Sequence, residues 1–125
     1  MAELEAAQQA LARFLEEAGA RARGAYHAQL VFEELVSNVL RYAYPGGIGP
    51  IDVVTALAGG EIQVTVEDQG PAFNPLLAPE PPAASSLEEA QVGGRGISLV
   101  RMASTHIDYQ RDGARNRVCV RIRND

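Results

Sequence analysis

The sequence predicts an α+β fold, a two-layer α/β sandwich in which a mixed, mostly antiparallel sheet is covered on one face by helices. Three observations lead to this prediction. Two helical hydrophobic patterns open the chain, two pairs of alternating strands follow, and a third helical pattern separates the two pairs. Strands joined by short turns pair antiparallel, and helices on one face of such a sheet cover its apolar side. A chain of 125 residues has the length of one domain, so we expect residues 1–125 to fold together.

Two helices are predicted before the first strand. Apolar residues recur every three or four positions over residues 4–18, and the glycines of residues 19–24 are expected to interrupt this pattern. A second helix is predicted over residues 25–44 and ends before Pro45, because a proline disfavours helical geometry in the residue that precedes it. Its broad apolar face consists of Phe32, Leu35, Val36, Val39, Leu40 and Ala43.

The first hairpin and a long loop follow the second helix. Residues 51–57 and 61–67 alternate between apolar and polar side chains, and Gly59-Gly60 between them is typical of a hairpin turn. Five of the seven prolines fall within the next stretch, which has no helical or strand pattern. A structureless segment of this length inside a compact domain is usually a lid, a binding loop or a disordered segment. We interpret residues 71–95 as a lid.

The chain ends with a third helix and a second hairpin. The helix is expected to begin near Gly96 and to carry Ile97, Leu99, Val100 and Met102. The hairpin is predicted over residues 106–111 and 116–123, with a turn at Asp112-Gly113.

Composition excludes several classes of function. A net charge of −5 argues against direct nucleic-acid binding, since proteins that grip the phosphate backbone cluster lysine and arginine on one surface. Cys119 is the single cysteine, which excludes an internal disulfide and a cysteine-based zinc site and fits a reducing compartment. The acidic N-terminus lacks the pattern of a signal peptide, and no apolar run reaches membrane-spanning length. We therefore expect a cytoplasmic protein without a membrane partner.

Glu34 and Asn38 form the first candidate motif. They are four residues apart, so on a helix they stand about one turn from each other, to one side of the apolar face, and neither is expected to be a core position. Magnesium takes oxygen ligands, and an asparagine carbonyl can supply one of them. A neighbouring carboxylate can act as a base toward water or a hydroxyl group. A solvated helix face has the same spacing, so the pair alone does not define a site.

Asp68 ends the second predicted strand and begins the second motif. A carboxylate at this place can accept a hydrogen bond from an amino group such as N6 of adenine, and Gly70 allows the backbone to approach a flat ring. Asp and Gly are also the usual residues of an ordinary turn. Phe73 is predicted to pack at the base of the lid in either case.

The third motif, Gly94-Arg95-Gly96, leads directly into the third helix. A helix N-terminus presents free N–H groups to an anion, and glycines remove the side chains that would block access. Arg95 can add a charge-assisted contact to phosphate, although an exposed loop arginine often has no specific role. The combination and order of the three motifs predict a site for ATP.

These motifs resemble the N, G1 and G2 boxes of the histidine-kinase-type (GHKL, or Bergerat) ATP-binding domain. The matching strings are Glu34-Leu35-Val36-Ser37-Asn38, Asp68-Gln69-Gly70-Pro71-Ala72-Phe73-Asn74-Pro75 and Gly93-Gly94-Arg95-Gly96-Ile97-Ser98-Leu99-Val100. Within that superfamily the chain is most similar to the small anti-sigma-factor serine/threonine-protein kinases of bacteria, and the likeness covers nearly the whole chain. The resemblance implies a Bergerat fold with ATP and Mg²⁺ as cofactors.

The resemblance also implies roles for residues and partners. Asn38 would be the magnesium ligand, Glu34 the catalytic base and Asp68, with Gly70 beside it, the adenine contact. Phe73 would also belong to the nucleotide-binding residues. Gly94, Arg95 and Gly96 would face the phosphates. The protein would bind a sigma factor and phosphorylate an anti-anti-sigma (STAS-type) antagonist on serine or threonine, and the family resemblance allows a homodimer.

Three features depart from the family pattern. Tyr42 stands where many members have histidine, and Pro71-Ala72 replaces a stretch that is more glycine-rich in other members. Members usually open with an edge strand, whereas this sequence opens with a helix, so a partner or dimer surface built on that strand is expected to be altered.

Two other functions are compatible with these motifs. The chain can be an ATP-binding regulatory module that sequesters a protein partner without phosphoryl transfer. It can also be the catalytic domain of a sensor histidine kinase or of an energy-coupled ATPase, which the absence of a phosphoacceptor helix pair or a coupling domain disfavours.

Overall fold

The computed structural model describes residues 2–44, 46, 49–77 and 96–125 of the chain. The predicted first helix is confirmed as α1, Ala2–Glu17. Gly19 follows it with a φ of 80°, a left-handed conformation that glycine adopts without strain, and ends the helix. Most of the predicted lid, residues 78–95, lies outside the described residues.

The second helix begins earlier than the sequence predicted. Helix α2 spans Ala22–Asn38, so Gly24 lies inside the helix rather than in the break before it. A Cβ atom added at Gly24 would lie 2.9 Å from the carbonyl oxygen of Arg123, and the Gly24 N–H donates to the carbonyl of Asp125. This glycine therefore allows the last strand to pack closely on the helix. It does not terminate the helix.

The helix also ends earlier than predicted. A π-helical turn, Val39–Ala43, follows directly after Asn38, so the predicted single helix to residue 44 is wrong in its last turn. The Tyr44 N–H still donates to the carbonyl of Val39, five residues back, at 3.2 Å. Such a turn widens the helix locally, and π-helical turns are frequent at functional sites.

Within the described part of the chain, four strands form one antiparallel sheet in the order β1-β2-β4-β3. The first hairpin joins β1 (Ile51–Ala58) to β2 (Glu61–Asp68). Its turn residues Gly59 and Gly60 have φ values of 61° and 79°, the signs of a type I′ turn. All described strand pairs are antiparallel, and the α+β class is confirmed.

Helix α3 (Gly96–Ala103) begins at the predicted residue and leads into the second hairpin. This hairpin joins β3 (His106–Asp112) to β4 (Arg115–Arg123). Asp112 pairs with Arg115, so the turn consists of Gly113 and Ala114, one residue later than predicted.

The helices pack on one face of the sheet and enclose the core. Every second residue of β2 and β4 is buried on this face, as the alternating pattern predicted. The largest fully buried side chains are Phe32, Leu15, Ile62, Ile122, Val31, Val64, Val100, Val120 and Asn116. Asn116, the last of these, is polar and belongs to the candidate site. Among the described residues, no helix is long and apolar enough to cross a membrane.

The opposite face of the sheet carries a network of ion pairs next to the end of β2. Glu67 lies between two arginines: its Oε1 is 2.6 Å from Nε of Arg117 and its Oε2 is 3.1 Å from Nη1 of Arg115. Asp52 and Asp112 extend the network at 3.7 and 3.5 Å from Arg115 and Arg117, respectively. Hydrogen bonds from Arg117, and then from Arg115, lower the pKa of Glu67.

Replacing Glu67 by glutamine is expected to reduce the free energy of unfolding by about 0.5–1 kcal/mol at pH 7, the upper range for a partly exposed ion pair. Glu67 has an ordinary pKa of 4.5 and a lower one in the folded chain. Its stabilisation is therefore fully present above the ordinary value and is lost as the pH falls through the folded value. Urea unfolding of both proteins as a function of pH measures the difference.

The matched control is Asp108→Asn, on the same face, where no ion pair joins the carboxylate to the described residues. A Glu67→Gln effect that stays constant down to the acid end of the titration would contradict the ion-pair explanation.

Candidate active site

Asp68 is the last residue of the central strand β2, and its side chain is buried at the end of that strand. Only 4% of its surface is exposed. Its Oδ1 accepts hydrogen bonds from the Gly70 N–H and from Nδ2 of Asn116, both at 2.9 Å. Its Oδ2 accepts no hydrogen bond from the residues that the structure describes. One carboxylate oxygen is thus held by the protein, while the other remains available to a ligand.

Asn116 is a site residue that the motif analysis missed. It is 1% exposed and pairs with Asp68 across the β2–β4 register. Its Nδ2 donates to Asp68 and, at 2.8 Å, to the Pro71 carbonyl. Its Oδ1 accepts from the Phe73 N–H at 3.1 Å and from the Tyr109 hydroxyl at 2.6 Å. All of its hydrogen-bonding capacity is used within the protein.

The position of Asn116 in the strand pattern could have revealed it. Val118, Val120 and Ile122 define the inward face of β4, and the same alternation places residue 116 on that face. A polar side chain at an apolar position needs hydrogen-bond partners, and such a position is a candidate for a specific role.

Gly70 packs against the π-helical turn. A Cβ atom added to it would lie 2.4 Å from the carbonyl oxygen of Ala43, closer than real Cβ contacts. The Gly70 carbonyl accepts a hydrogen bond of 2.8 Å from Nη1 of Arg111. The close contact with the π-helical turn therefore accounts for glycine at this position, and the predicted approach of its backbone to a flat ring stays a prediction.

Gly70→Ala is expected to destabilise the protein by about 1–3 kcal/mol, the usual cost of overpacking, because the loop and the π-helical turn must separate. Thermal or urea unfolding measures the loss. Gly46→Ala is the control, since no atom lies within 4 Å of a Cβ built there and its stability should change by less than about 0.5 kcal/mol. Equal stability of the two variants would show that the loop after β2 can move away from the π-helical turn without loss of stability.

Asn38, the last residue of α2, faces a small cavity at the base of the site. The cavity has a volume of about 10 Å³, close to the minimum that one water molecule needs. Its lining consists of Leu35, Asn38, Val39, Val66, Asp68, Phe73, Pro75 and Val118. Asn38 is only 9% exposed, and none of the described hydrogen bonds involves its side chain. The expectation that Asn38 is not a core position is wrong, because β2 and the loop after it cover this end of the helix.

Glu34 lies one turn before Asn38 and is half-buried, in agreement with its predicted place beside the core. Partial burial raises the pKa of its carboxyl group, the neighbouring charge of Glu33 raises it further, and Arg41 opposes both effects. A raised pKa makes a carboxylate a stronger proton acceptor. The surroundings of Glu34 thus suit the base that the motif predicted.

Phe73 and Tyr42 stack at the edge of the cavity. Their ring centroids are 5.5 Å apart with an angle of 27° between the planes. Tyr42 remains 51% exposed, and the guanidinium group of Arg41 lies 5.7 Å from its ring centroid. Phe73 is thus a packing residue, as predicted, and Tyr42 supports it from the π-helical turn. A contact of Phe73 with nucleotide stays a prediction.

Tyr44 ties together the segments that surround the site. Its hydroxyl group donates to the Pro50 carbonyl and accepts a hydrogen bond of 2.7 Å from the Gln69 N–H. A Cβ atom at Gly49 would lie 2.4 Å from the Tyr44 ring, so the chain passes directly against this side chain. The end of the π-helical turn, the segment before β1 and the loop after β2 are thereby held in fixed relation.

The predicted phosphate loop is described only at its end. Gly96 is the first residue of α3, as predicted, whereas Gly94 and Arg95 lie outside the described residues. The structure therefore brings Asn38 of the N box together with Asp68 and Phe73 of the G1 box at one cavity, whose lining does not include Glu34 or Gly70. The position of the G2 box around Gly94 and Arg95 stays a prediction.

The fold and this site define an α+β ATP-binding domain, and comparison with known proteins identifies its family. The family model for the histidine kinase-like ATPase domain matches residues 1–122. The chain belongs to the histidine kinase-like ATPase domain family, and the resemblance found in its three motifs is confirmed.

Individual relatives agree with this assignment. The chain is 33% identical, over 91 residues, to the serine/threonine-protein kinase BtrW of Bordetella bronchiseptica, covering 72% of this chain and 64% of that protein. The histidine kinase domain of the blue-light activated histidine kinase EL346 of Erythrobacter litoralis has a TM-score of 0.54 at 23% identity, over 82% of this chain and 45% of that one. The histidine kinase AdeS of Acinetobacter baumannii has a TM-score of 0.52 at 16% identity, over 81% and 47%.

The chain spans less than two thirds of the length of each of these relatives. The two solved structures are distant in sequence and show the fold alone.

Proposed function

We propose that this chain is an ATP- and magnesium-dependent serine/threonine-protein kinase that acts as an anti-sigma factor. In this proposal it binds a sigma factor in the cytoplasm and phosphorylates a STAS-type anti-anti-sigma antagonist. The single observation that carries the nucleotide site is that two polar residues line one cavity, Asn38, whose amide has no described hydrogen bond, and Asp68, whose Oδ2 has none. The similarity to a protein named serine/threonine-protein kinase supports the acceptor class.

The polar groups of Asn38 and Asp68 have the chemistry that a nucleotide with its metal requires. Among the described residues, no buried side-chain nitrogen or oxygen lacks a hydrogen-bond partner, so the Asn38 amide and Oδ2 of Asp68 keep contact with solvent and are accessible to a polar ligand. Among the described residues, no group of three or more His, Cys, Asp or Glu could hold a metal by itself. Magnesium commonly takes one or two protein oxygens together with phosphates and water, and the Asn38 carbonyl would be such a ligand. When bound, the ion would neutralise charge on the transferred phosphate.

Glu34 would then receive the proton of the acceptor hydroxyl group. The acceptor oxygen forms a bond to the γ-phosphorus, the bond from that phosphorus to the β-phosphate oxygen breaks and ADP leaves, while the hydroxyl proton moves to the Glu34 carboxylate. Asp68 would hold the adenine ring through Oδ2. Phe73, supported by Tyr42, would close the edge of the base pocket, the space beside Asp68 that the adenine ring would occupy.

A pull-down of the chain from the native cytoplasm, with and without Mg-ATP, followed by mass measurement of the captured proteins tests the proposal. We expect a small protein to gain one phosphoryl group on serine or threonine when wild-type chain and Mg-ATP are both present. The Glu34→Gln variant is the control, since it should capture the same protein without modifying it. If every captured protein keeps its unmodified mass, the proposed kinase activity is wrong.

The alternative is an ATP-binding module that sequesters its partner without phosphoryl transfer. The same experiment separates the two functions, because sequestration predicts ATP-dependent capture of an unmodified partner. The mass of the partner therefore decides between them.

A further inference from the structure

Asn116 makes four hydrogen bonds at the edge of the base pocket, and one of them reaches the carboxylate proposed to contact the nucleobase. We propose that Asn116 is a positioning residue that sets the preference of the site for adenine over guanine by holding Asp68 with its Oδ2 as an acceptor toward the base. This inference rests on the proposed nucleotide site. It assigns a role in specificity to a residue outside the three motifs.

The orientation of the Asn116 amide follows from the chemistry of its partners. The Phe73 N–H can only donate, so the atom facing it must be the amide oxygen. The Pro71 carbonyl can only accept, so the atom facing it must be the amide nitrogen. The same nitrogen therefore points its second hydrogen at Oδ1 of Asp68.

Asp68 is thereby held from one side only. The Gly70 N–H and the Asn116 amide both occupy Oδ1, while Oδ2 receives no hydrogen bond from the described residues. Asn116 is 1% exposed and Asp68 is 4% exposed, so solvent has little access to exchange these bonds. Rotation of the carboxylate would break two hydrogen bonds in a buried place, which is costly. The geometry keeps one oxygen, as an acceptor, directed away from Asn116.

An acceptor in that place distinguishes the two purines. Adenine carries an amino group at position 6 and guanine carries a carbonyl oxygen there. A carboxylate oxygen accepts a hydrogen bond from the amino group, but it repels the carbonyl oxygen and leaves both acceptors unpaired. Sites built around such a hydrogen bond discriminate strongly, so we expect the wild-type chain to prefer Mg-ATP over Mg-GTP by at least about 100-fold.

The test compares the affinities for Mg-ATP and Mg-GTP, measured by calorimetry, in variants of Asn116. Asn116→Ser removes the donor and leaves space for water beside Asp68, so the ratio of the two affinities should fall by about tenfold or more. A purely structural effect would weaken both nucleotides alike and leave the ratio unchanged. Tyr109→Phe is the matched control, because it removes one hydrogen bond to Asn116 without touching Asp68 and should keep the wild-type ratio.

Asn116→Asp supplies a second, independent readout. Two carboxylates in contact share a proton, and a protonated Asp at this position can again donate to Oδ1 of Asp68. The preference for ATP should therefore recover as the pH is lowered and the shared proton is taken up, whereas the Ser variant should show no such recovery. Far-UV circular dichroism and the melting temperature show which variants are folded.

The outcomes separate this inference from the proposed function. If the wild-type chain does not bind Mg-ATP, the nucleotide site itself is wrong. If it binds Mg-ATP and a folded Asn116 variant keeps the full ATP to GTP ratio, only the role of Asn116 is wrong. A wild-type chain that binds both nucleotides equally would overturn the inference without any variant.

Discussion

Glu34→Gln is expected to lower the rate of phosphoryl transfer by about 10²–10⁴-fold while Mg-ATP affinity changes by less than about threefold. Glutamine has the shape of glutamate but cannot accept the proton of the acceptor hydroxyl. Partial burial raises the pKa of Glu34, so the carboxylate is a stronger base than an exposed one. Single-turnover transfer from labelled ATP to the captured partner measures the rate, and calorimetry measures the affinity.

Glu33→Gln is the matched control for this prediction. Its charge is the second cause of the raised pKa of Glu34, after burial. Removing that charge should lower the pKa of Glu34 and move the acidic limb of the rate profile to lower pH, while the rate on the plateau stays close to wild type. Equal losses in the Glu33 and Glu34 variants would assign the effect to helix charge and exclude a specific base.

Short-range patterns predicted most of the fold. The alternation of apolar and polar residues correctly predicted strands β1, β2 and β4. The Gly59-Gly60 pair identified the first hairpin, because a two-residue turn with positive φ depends only on the residues of the turn itself. The predictions were wrong where tertiary contacts determine the backbone conformation. Gly24 suggested a break, yet its role is close packing against Arg123, a residue far away in the sequence.

The sequence predicted those site residues whose chemical type and order along the chain are required by the function. Glu34, Asn38 and Asp68 were found in this way, and the structure brings Asn38 and Asp68 to one cavity. Sequence could not predict the π-helical turn after Asn38, because its hydrogen bonds replace α-helical ones without a distinctive residue pattern. The burial of Asn38 depends on this turn and on the loop that covers it.

The close contact at Gly70 had the same origin. A glycine after a strand suggests an open turn or a ligand, and only the structure reveals Ala43 above it. Asn116 likewise lies 48 residues from Asp68 in the sequence, so their hydrogen bond exists only through the pairing of β2 with β4.

Asn38→Leu is expected to abolish magnesium-dependent nucleotide binding while leaving the protein as stable as the wild type or more stable. Leucine is similar in size and suits the mostly apolar lining of the cavity, and the Asn38 amide that it replaces has no described hydrogen bond to lose. The added burial of apolar surface should raise the free energy of unfolding by about 1 kcal/mol. Loss of the protein ligand to the metal should weaken Mg-ATP binding by at least about 100-fold.

Opposite changes in stability and binding are what identify Asn38 as a functional residue rather than a packing residue. Residues at functional sites often cost stability that a substitution can recover. Calorimetry with and without EDTA measures the binding, and urea unfolding measures the stability. Asn38→Asp keeps an oxygen ligand and should retain magnesium dependence, whereas Ser37→Ala, beside the cavity but outside its lining, should resemble the wild type in both measurements. A Leu variant that binds Mg-ATP normally would assign Asn38 to packing and move the metal ligand elsewhere.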